Sequence, residues 1–140
     1  MSIPSHIRLE FVTPERALVQ EDVDEVELPG EEGYFGVLPG HAPLLAALRP
    51  GEVWYRKGGE RKYAFIGGGF AEVGGGRVSI LAPAAERAED IDKARAEAAK
   101  RRAEGRLSSP EADTDYDRAR QALERAVARL QILSRQTIRS

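Results

Sequence analysis

The chain has no cysteine and only two histidines among its 140 residues. Disulfides, thiolate metal sites and cysteine nucleophiles are thereby excluded, and His6 and His41 cannot by themselves assemble a histidine-rich metal centre. Long apolar runs are missing too. The longest apolar-leaning stretch, Ala42 to Leu48, contains Pro43 and falls far short of the roughly 20 residues that hydrocarbon thickness demands. The opening MSIPSHIRLE lacks the basic start and apolar core of a secretory signal, which predicts a chain kept on the cytosolic side. No segment reads GxxxxGK(S/T), so a Walker phosphate loop is absent. A net charge of −2 argues against a nucleic-acid surface spread over the whole molecule. No Ser-His-Asp set finds local support, and most carboxylates fall in helix-surface patterns, so an enzyme is disfavoured.

What is present divides into two unlike halves. Thirteen of the fourteen glycines precede residue 77, and eight of the nine aromatic residues precede residue 71. Period-two alternation runs through Ile7, Leu9 and Phe11, then Val26 and Leu28, Val53 and Tyr55, and Val78 and Ile80, predicting half-buried strands. In this pattern Trp54 and Arg56 point to solvent. Pro-Gly at 29–30, 39–40 and 50–51, Gly-Gly at 58–59, and triple glycines at 67–69 and 74–76 punctuate them as turns or bulges. Pro39, Pro43 and Pro50 forbid one helix or central strand through the whole of GVLPGHAPLLAALRPG, residues 36–51, which reads as an ordered connection. Short strands at this spacing form a β-sandwich or barrel.

From Glu86 the composition turns to Ala, Glu, Lys and Arg, with acids early and bases late, as the helix macrodipole prefers. Gly105 reads as its stop, and Ala88, Ile91, Ala94 and Ala98 as its thin apolar stripe. After a linker in which Ser109 or Asp113 is placed to cap, Tyr116, Ala119, Leu123, Ala126, Leu130, Leu133 and Thr137 recur at spacings of three and four. The two helices are expected to fold back as an antiparallel hairpin. The predicted class is therefore α+β, with a β domain over 1–85 and a helical hairpin over 86–140. Alanine-rich helix contacts bury little apolar area, so the hairpin should be marginal alone and able to open.

GEEGYFGVLPGHAPLLAALRPG (30–51), IGGGFAEV (66–73), VSILA (78–82) and RAEDIDKARAEAAKRRAE (87–104) closely resemble the epsilon subunit of bacterial F-type ATP synthase. The resemblance covers almost the whole chain, and the Pro-Gly-His-Ala-Pro-Leu-Leu block is its most specific part. It implies an antiparallel β-sandwich and a non-catalytic rotor part of a proton- or sodium-driven synthase, peripheral to the cytoplasmic face of the bacterial plasma membrane. The implied partners are the gamma subunit and the c-subunit ring, with the alpha and beta catalytic subunits met when the hairpin extends and suppresses ATP hydrolysis. His41 and Tyr34 are carried over to the c-ring contact, although some members have an acid in place of Tyr34. Ile91-Asp92-x-x-Arg95-Ala96 matches the family's ATP-binding pattern, to which Glu86, Arg102, Arg125 and Arg129 are added by position. No cofactor is required, and ATP is implied only as a regulatory ligand.

Two other readings stand beside this one. Asp92 and Arg95, three apart, are also an ordinary intrahelical pair, and the arginines a solvated face. The chain could also act mainly as an ATP-sensing module that binds nucleotide by itself. Residues 118–140 carry six arginines against Glu124 alone, a local charge of about +5. That charge suits an acidic partner, and the resemblance places Arg118, Arg125, Arg129 and Arg135 against the beta subunit in the extended state.

Overall fold

The computed structural model describes residues 5–111 and 114–139, the last four of these by backbone only. Eight strands come first: β1 (Ile7–Val12), β2 (Ala17–Val23), β3 (Glu25–Gly30), β4 (Gly33–Val37), β5 (Leu44–Lys57), β6 (Glu60–Gly74), β7 (Arg77–Leu81) and β8 (Ala85–Arg87). A short 3-10 turn, Ala88–Asp90, leads to helices α1 (Lys93–Leu107) and α2 (Tyr116–Arg139). The strand order is β2-β1-β7-β6-β5-β3-β4, with β8 added to β6. Every pairing is antiparallel except β1 with β7.

The long ribbon of β5 and β6 organises this sandwich, and it corrects one expectation. Pro50-Gly51 and Gly67–Gly69 are not turns but lie inside the two strands, directly opposite each other, with Leu48 paired to Gly69 and Pro50 to Gly67. Pro50 is tolerated because the β3–β5 ladder is interrupted at this level, between Glu27 and Gly30, so its missing donor breaks no regular pairing. Gly68 and Gly69 take φ of 94° and 137°, where a side chain is strained. A Cβ on Gly69 would also collide with the Leu81 carbonyl. Past this bend β6 exchanges β8 for β7 as its partner. One hydrogen-bonded sheet thus folds over a core that includes Leu9, Phe11, Val23, Val26, Leu28, Val53, Ile66, Val78 and Ile80.

A second apolar cluster lies on the other side of the β5–β6 ribbon. Trp54, Tyr63 and Phe65 meet Ala88 and Ile91 from the 3-10 segment and Ala128 and Ile132 from α2. Trp54 is therefore buried instead of solvent-facing, because α2 covers the face that simple alternation assigns to water. The same packing explains why α1 begins at Lys93 and not at Glu86. Residues 85–87 still pair with β6, Ala88 and Ile91 plug the second cluster, and Asp92 then caps the helix by accepting from the Arg95 N–H at 3.1 Å.

Gly105 does not stop α1. It is absent from the glycines with positive φ, the helix runs on to Leu107, and Ser108 follows as the C-cap. The buried positions of α1 are Ala96 and Ala103, while Ala94 is exposed, so the stripe is rotated from the expected one. Ala119 and Ala126 are buried in α2, and the spacing of seven in both helices is that of a close coiled-coil seam. At the start of α2 the cap is Asp115, whose Oδ1 accepts from the Arg118 N–H at 3.0 Å, and not Ser109; Asp113 lies outside the described residues, as do the side chains of Thr137 and Arg139. No helix among the described residues is long and apolar enough to cross a membrane.

Candidate functional site

Between α1, α2 and β8 lies a cavity of about 550 Å³. Its charged lining is five arginines, Arg95, Arg102, Arg106, Arg125 and Arg129, against Glu15, Glu86, Asp90 and Asp92; alanines including Ala96, Ala99 and Ala103 form much of the rest. Of the eight residues assigned from sequence to a nucleotide, Glu86, Asp92, Arg95, Ala96, Arg102, Arg125 and Arg129 line it. Ile91 does not: it is buried in the second cluster, so its part is to anchor the segment that precedes the cap.

Two of the charged groups in the lining, Arg129 and Glu86, are engaged with each other. Arg129 Nε lies 2.6 Å from Glu86 Oε1, and its guanidinium stacks 4.0 Å above the Phe65 ring centroid. This triad joins α2 to β8 and β6 at the cavity wall, and stacking plus a charge-assisted hydrogen bond holds the guanidinium plane. Asp92 is committed to the backbone of Arg95 rather than to its guanidinium, which decides against the simple intrahelical ion pair. Arg16 of the β1–β2 turn reaches Asp90 at 3.3 Å on the far rim.

Such a lining suits a polyanion. Guanidinium forks match phosphate oxygens, the small alanines leave room for a flat ring, and nothing in the lining supplies an activated nucleophile. Arg106, Asp90 and Glu15 were not anticipated. Arg95, Arg102 and Arg106 recur at seven and eleven residues on one helical face, which periodicity could have revealed. Glu15 comes from a distant turn and has no local signal.

The remaining assigned residues lie elsewhere. Tyr34, on β4, is 56% exposed, and its hydroxyl accepts from the Glu52 N–H at 3.2 Å. His41 is exposed in the β4–β5 connection, with Nδ1 2.7 Å from the Ala42 carbonyl and its main-chain N–H donated to the Leu38 carbonyl. Near it in sequence Leu38, Leu44 and Leu45 present apolar surface, so this end of the sandwich is hydrophobic at its tip. Arg118 is exposed near the hairpin turn. Arg135 reaches back to the sandwich, with Nε 2.8 Å from Glu52 Oε2.

The comparisons with known proteins agree with this arrangement. The model for the ATP synthase, Delta/Epsilon chain, beta-sandwich domain matches residues 6–88, and that for the long alpha-helix domain of the same chains matches 89–134. The ATP synthase epsilon chain of Nitratidesulfovibrio vulgaris (strain DP4) is 49% identical over 126 residues, covering 90% of this chain and 94% of the relative. That of Syntrophobacter fumaroxidans is 52% identical over the same length and the same shares. Among solved structures, a chain in the cryo-EM structure of the Euglena gracilis mitochondrial ATP synthase, OSCP/F1/c-ring in rotational state 1, superposes with a TM-score of 0.84 at 29% identity, covering 95% of this chain and 84% of that one. With the sandwich and the hairpin each matched along nearly their full length, the chain belongs to the ATP synthase delta/epsilon chain family.

Proposed function

We propose that this chain is a non-catalytic central-stalk subunit of an ATP synthase, that its sandwich couples gamma to the c ring, and that its folded hairpin binds ATP and thereby restrains an inhibitory, extended form. The observation that carries the nucleotide part is the convergence of Arg95, Arg102, Arg125 and Arg129 on one cavity. Residues 91–102 and 125–129 are distant in sequence and are brought to one cavity by the alanine seam of the hairpin. The exposed Leu38–Leu45 tip, which carries His41, and the exposed Tyr34 near Leu44 and Leu45 suit a load-bearing contact with the loops of a c ring.

The switch follows from competition for the same groups. In the folded hairpin Arg129 and Arg135 neutralise Glu86 and Glu52 of the sandwich, so these charges become available to an acidic segment of the beta subunit only when α2 leaves. A nucleotide held by both helices stabilises the folded state by mass action, by about 2.7 kcal/mol at one hundred times its Kd. Equilibrium dialysis of the full chain against ATP tests the first step. We expect saturable binding by the native chain and a loss of tenfold or more in Arg125→Ala; equal retention by both proteins would sink the cavity assignment. An ATP-sensing role by itself is the second reading, and it gains support if binding persists while the reconstituted catalytic complex shows no nucleotide-dependent restraint.

A further inference from the structure

Glu52 is the one charged residue classed as buried among the described residues, 7% exposed, on the face of β5 that carries Trp54. A carboxylate that has lost its water needs a cation. Arg135 of α2 supplies one: the 2.8 Å approach to Oε2 is off the line of the N–H, so the contact is one of charge rather than an aligned hydrogen bond. The same guanidinium lies 6.0 Å from the Tyr63 ring centroid. Glu52 cannot easily retreat. Its main chain is paired to β6 through Phe65, and where the β3 ladder is interrupted its N–H is taken by the Tyr34 hydroxyl at 3.2 Å.

We propose that Glu52 is a selectivity element for the seating of α2: it admits the helix onto the sheet only in the register that places a guanidinium over it. Glu52 is the buried member of the pair and Arg135 the exposed one, its side chain 56% accessible, so the desolvation cost falls on the carboxylate, and removing its partner is costlier than the intact pair is beneficial. The pair therefore contributes little attraction but penalises every docked arrangement in which Arg135 is elsewhere. The apolar neighbours Ala128 and Ile132 provide adhesion without register, since small and aliphatic contacts tolerate sliding. This inference concerns the isolated chain without nucleotide and stands apart from the ATP reading.

A double-mutant cycle in the full chain tests it, read by amide hydrogen exchange at residues 128–133 and by fluorescence of Trp54, the only tryptophan. Exchange at Leu9 and Val78 in the main core reports separately on global unfolding. Arg135→Ala should raise opening of the helix about tenfold or more at neutral pH with the core amides unchanged. Glu52→Gln should change it by less than about threefold, and the double variant should return to within about threefold of the native chain. If the double variant opens as readily as Arg135→Ala alone, the two residues are not coupled and the proposal fails. It fails equally if Arg135→Ala has no effect, or if Glu52→Gln opens the helix as much as Arg135→Ala, which would make the pair an attractive clamp instead.

Discussion

At the scale of single residues, Asp92 shows how a motif position can serve structure first. Its Oδ1 already accepts the Arg95 N–H, and a second carboxylate-to-phosphate approach would be repulsive. Asparagine caps about as well as aspartate. Asp92→Asn should therefore leave α1 intact and ATP affinity within about threefold, whereas Asp92→Ala should cost about 1 kcal/mol of helix stability, visible as faster exchange at the first-turn amides. Glu52 gives a pH prediction. Burial raises its pKa above the ordinary glutamate value of 4.5, opposed by Arg135 and reinforced by Glu27. Between these two values the folded chain holds a proton that the unfolded chain releases. Its favourable contribution is complete below 4.5 and is lost as pH rises through the raised value, so unfolding followed by Trp54 fluorescence should report lower stability across that interval, and Glu52→Gln should flatten the profile. The motif residues Asp92, Arg95 and Arg129 were legible in the sequence. Glu52 was not, because Val53 and Tyr55 alternate as an inward pair and assign 52 and 54 to water; a lone tryptophan on the supposedly wet face was the available clue.

At the scale of elements, the hairpin is held by two unlike surfaces. The seam between the helices is built on Ala96, Ala103, Ala119 and Ala126, each worth little in apolar burial, whereas Ile132 is fully buried against Trp54, Tyr63 and Phe65. Ile132→Ala should therefore destabilise docking of α2 by about 2–5 kcal/mol without lowering the stability of the sandwich core, which local exchange distinguishes from global unfolding. Gly69→Ala should do the opposite. A positive φ and the facing Leu81 carbonyl leave no room for a Cβ, and the strand bend that folds the sheet depends on that approach, so the loss should fall on the whole β domain and lower its thermal midpoint. Strand periods, the order of elements and the helix pair were readable from the sequence. The helix start was misplaced because charge composition cannot see that residues 85–91 are already committed to β6 and the second cluster. The Pro-Gly and triple-glycine signals were rightly read as irregular backbone, yet only their facing register made them a bend within paired strands rather than two turns.

At the scale of the whole molecule, docking of α2 is the sum of an apolar plug at Ile132, two acid–arginine contacts and whatever occupies the cavity. The plug and contacts bury one face of the sandwich that an extended α2 would expose, so opening carries a real cost that partner surfaces must offset. Under the proposed function, sensitivity to ATP depends on how near these terms lie to balance. A ligand shifts the equilibrium only by its differential affinity for the two states, and a cavity lined by both helices exists only in the folded one. ATP hydrolysis by an alpha-beta-gamma complex reconstituted with this chain should consequently be suppressed at low ATP and relieved as ATP rises. A chain ended after Ile91, which keeps the plug formed by Ala88 and Ile91 but lacks both helices, should still associate with gamma and should give hydrolysis with no such dependence. Arg125→Ala should leave suppression in place at ATP concentrations that relieve it in the native complex, because it removes the ligand's grip without touching either contact that Glu52 and Glu86 make. If the shortened chain suppressed hydrolysis as strongly as the full one, the restraint would reside in the sandwich, and the hairpin would be left with a nucleotide site but no consequence for turnover.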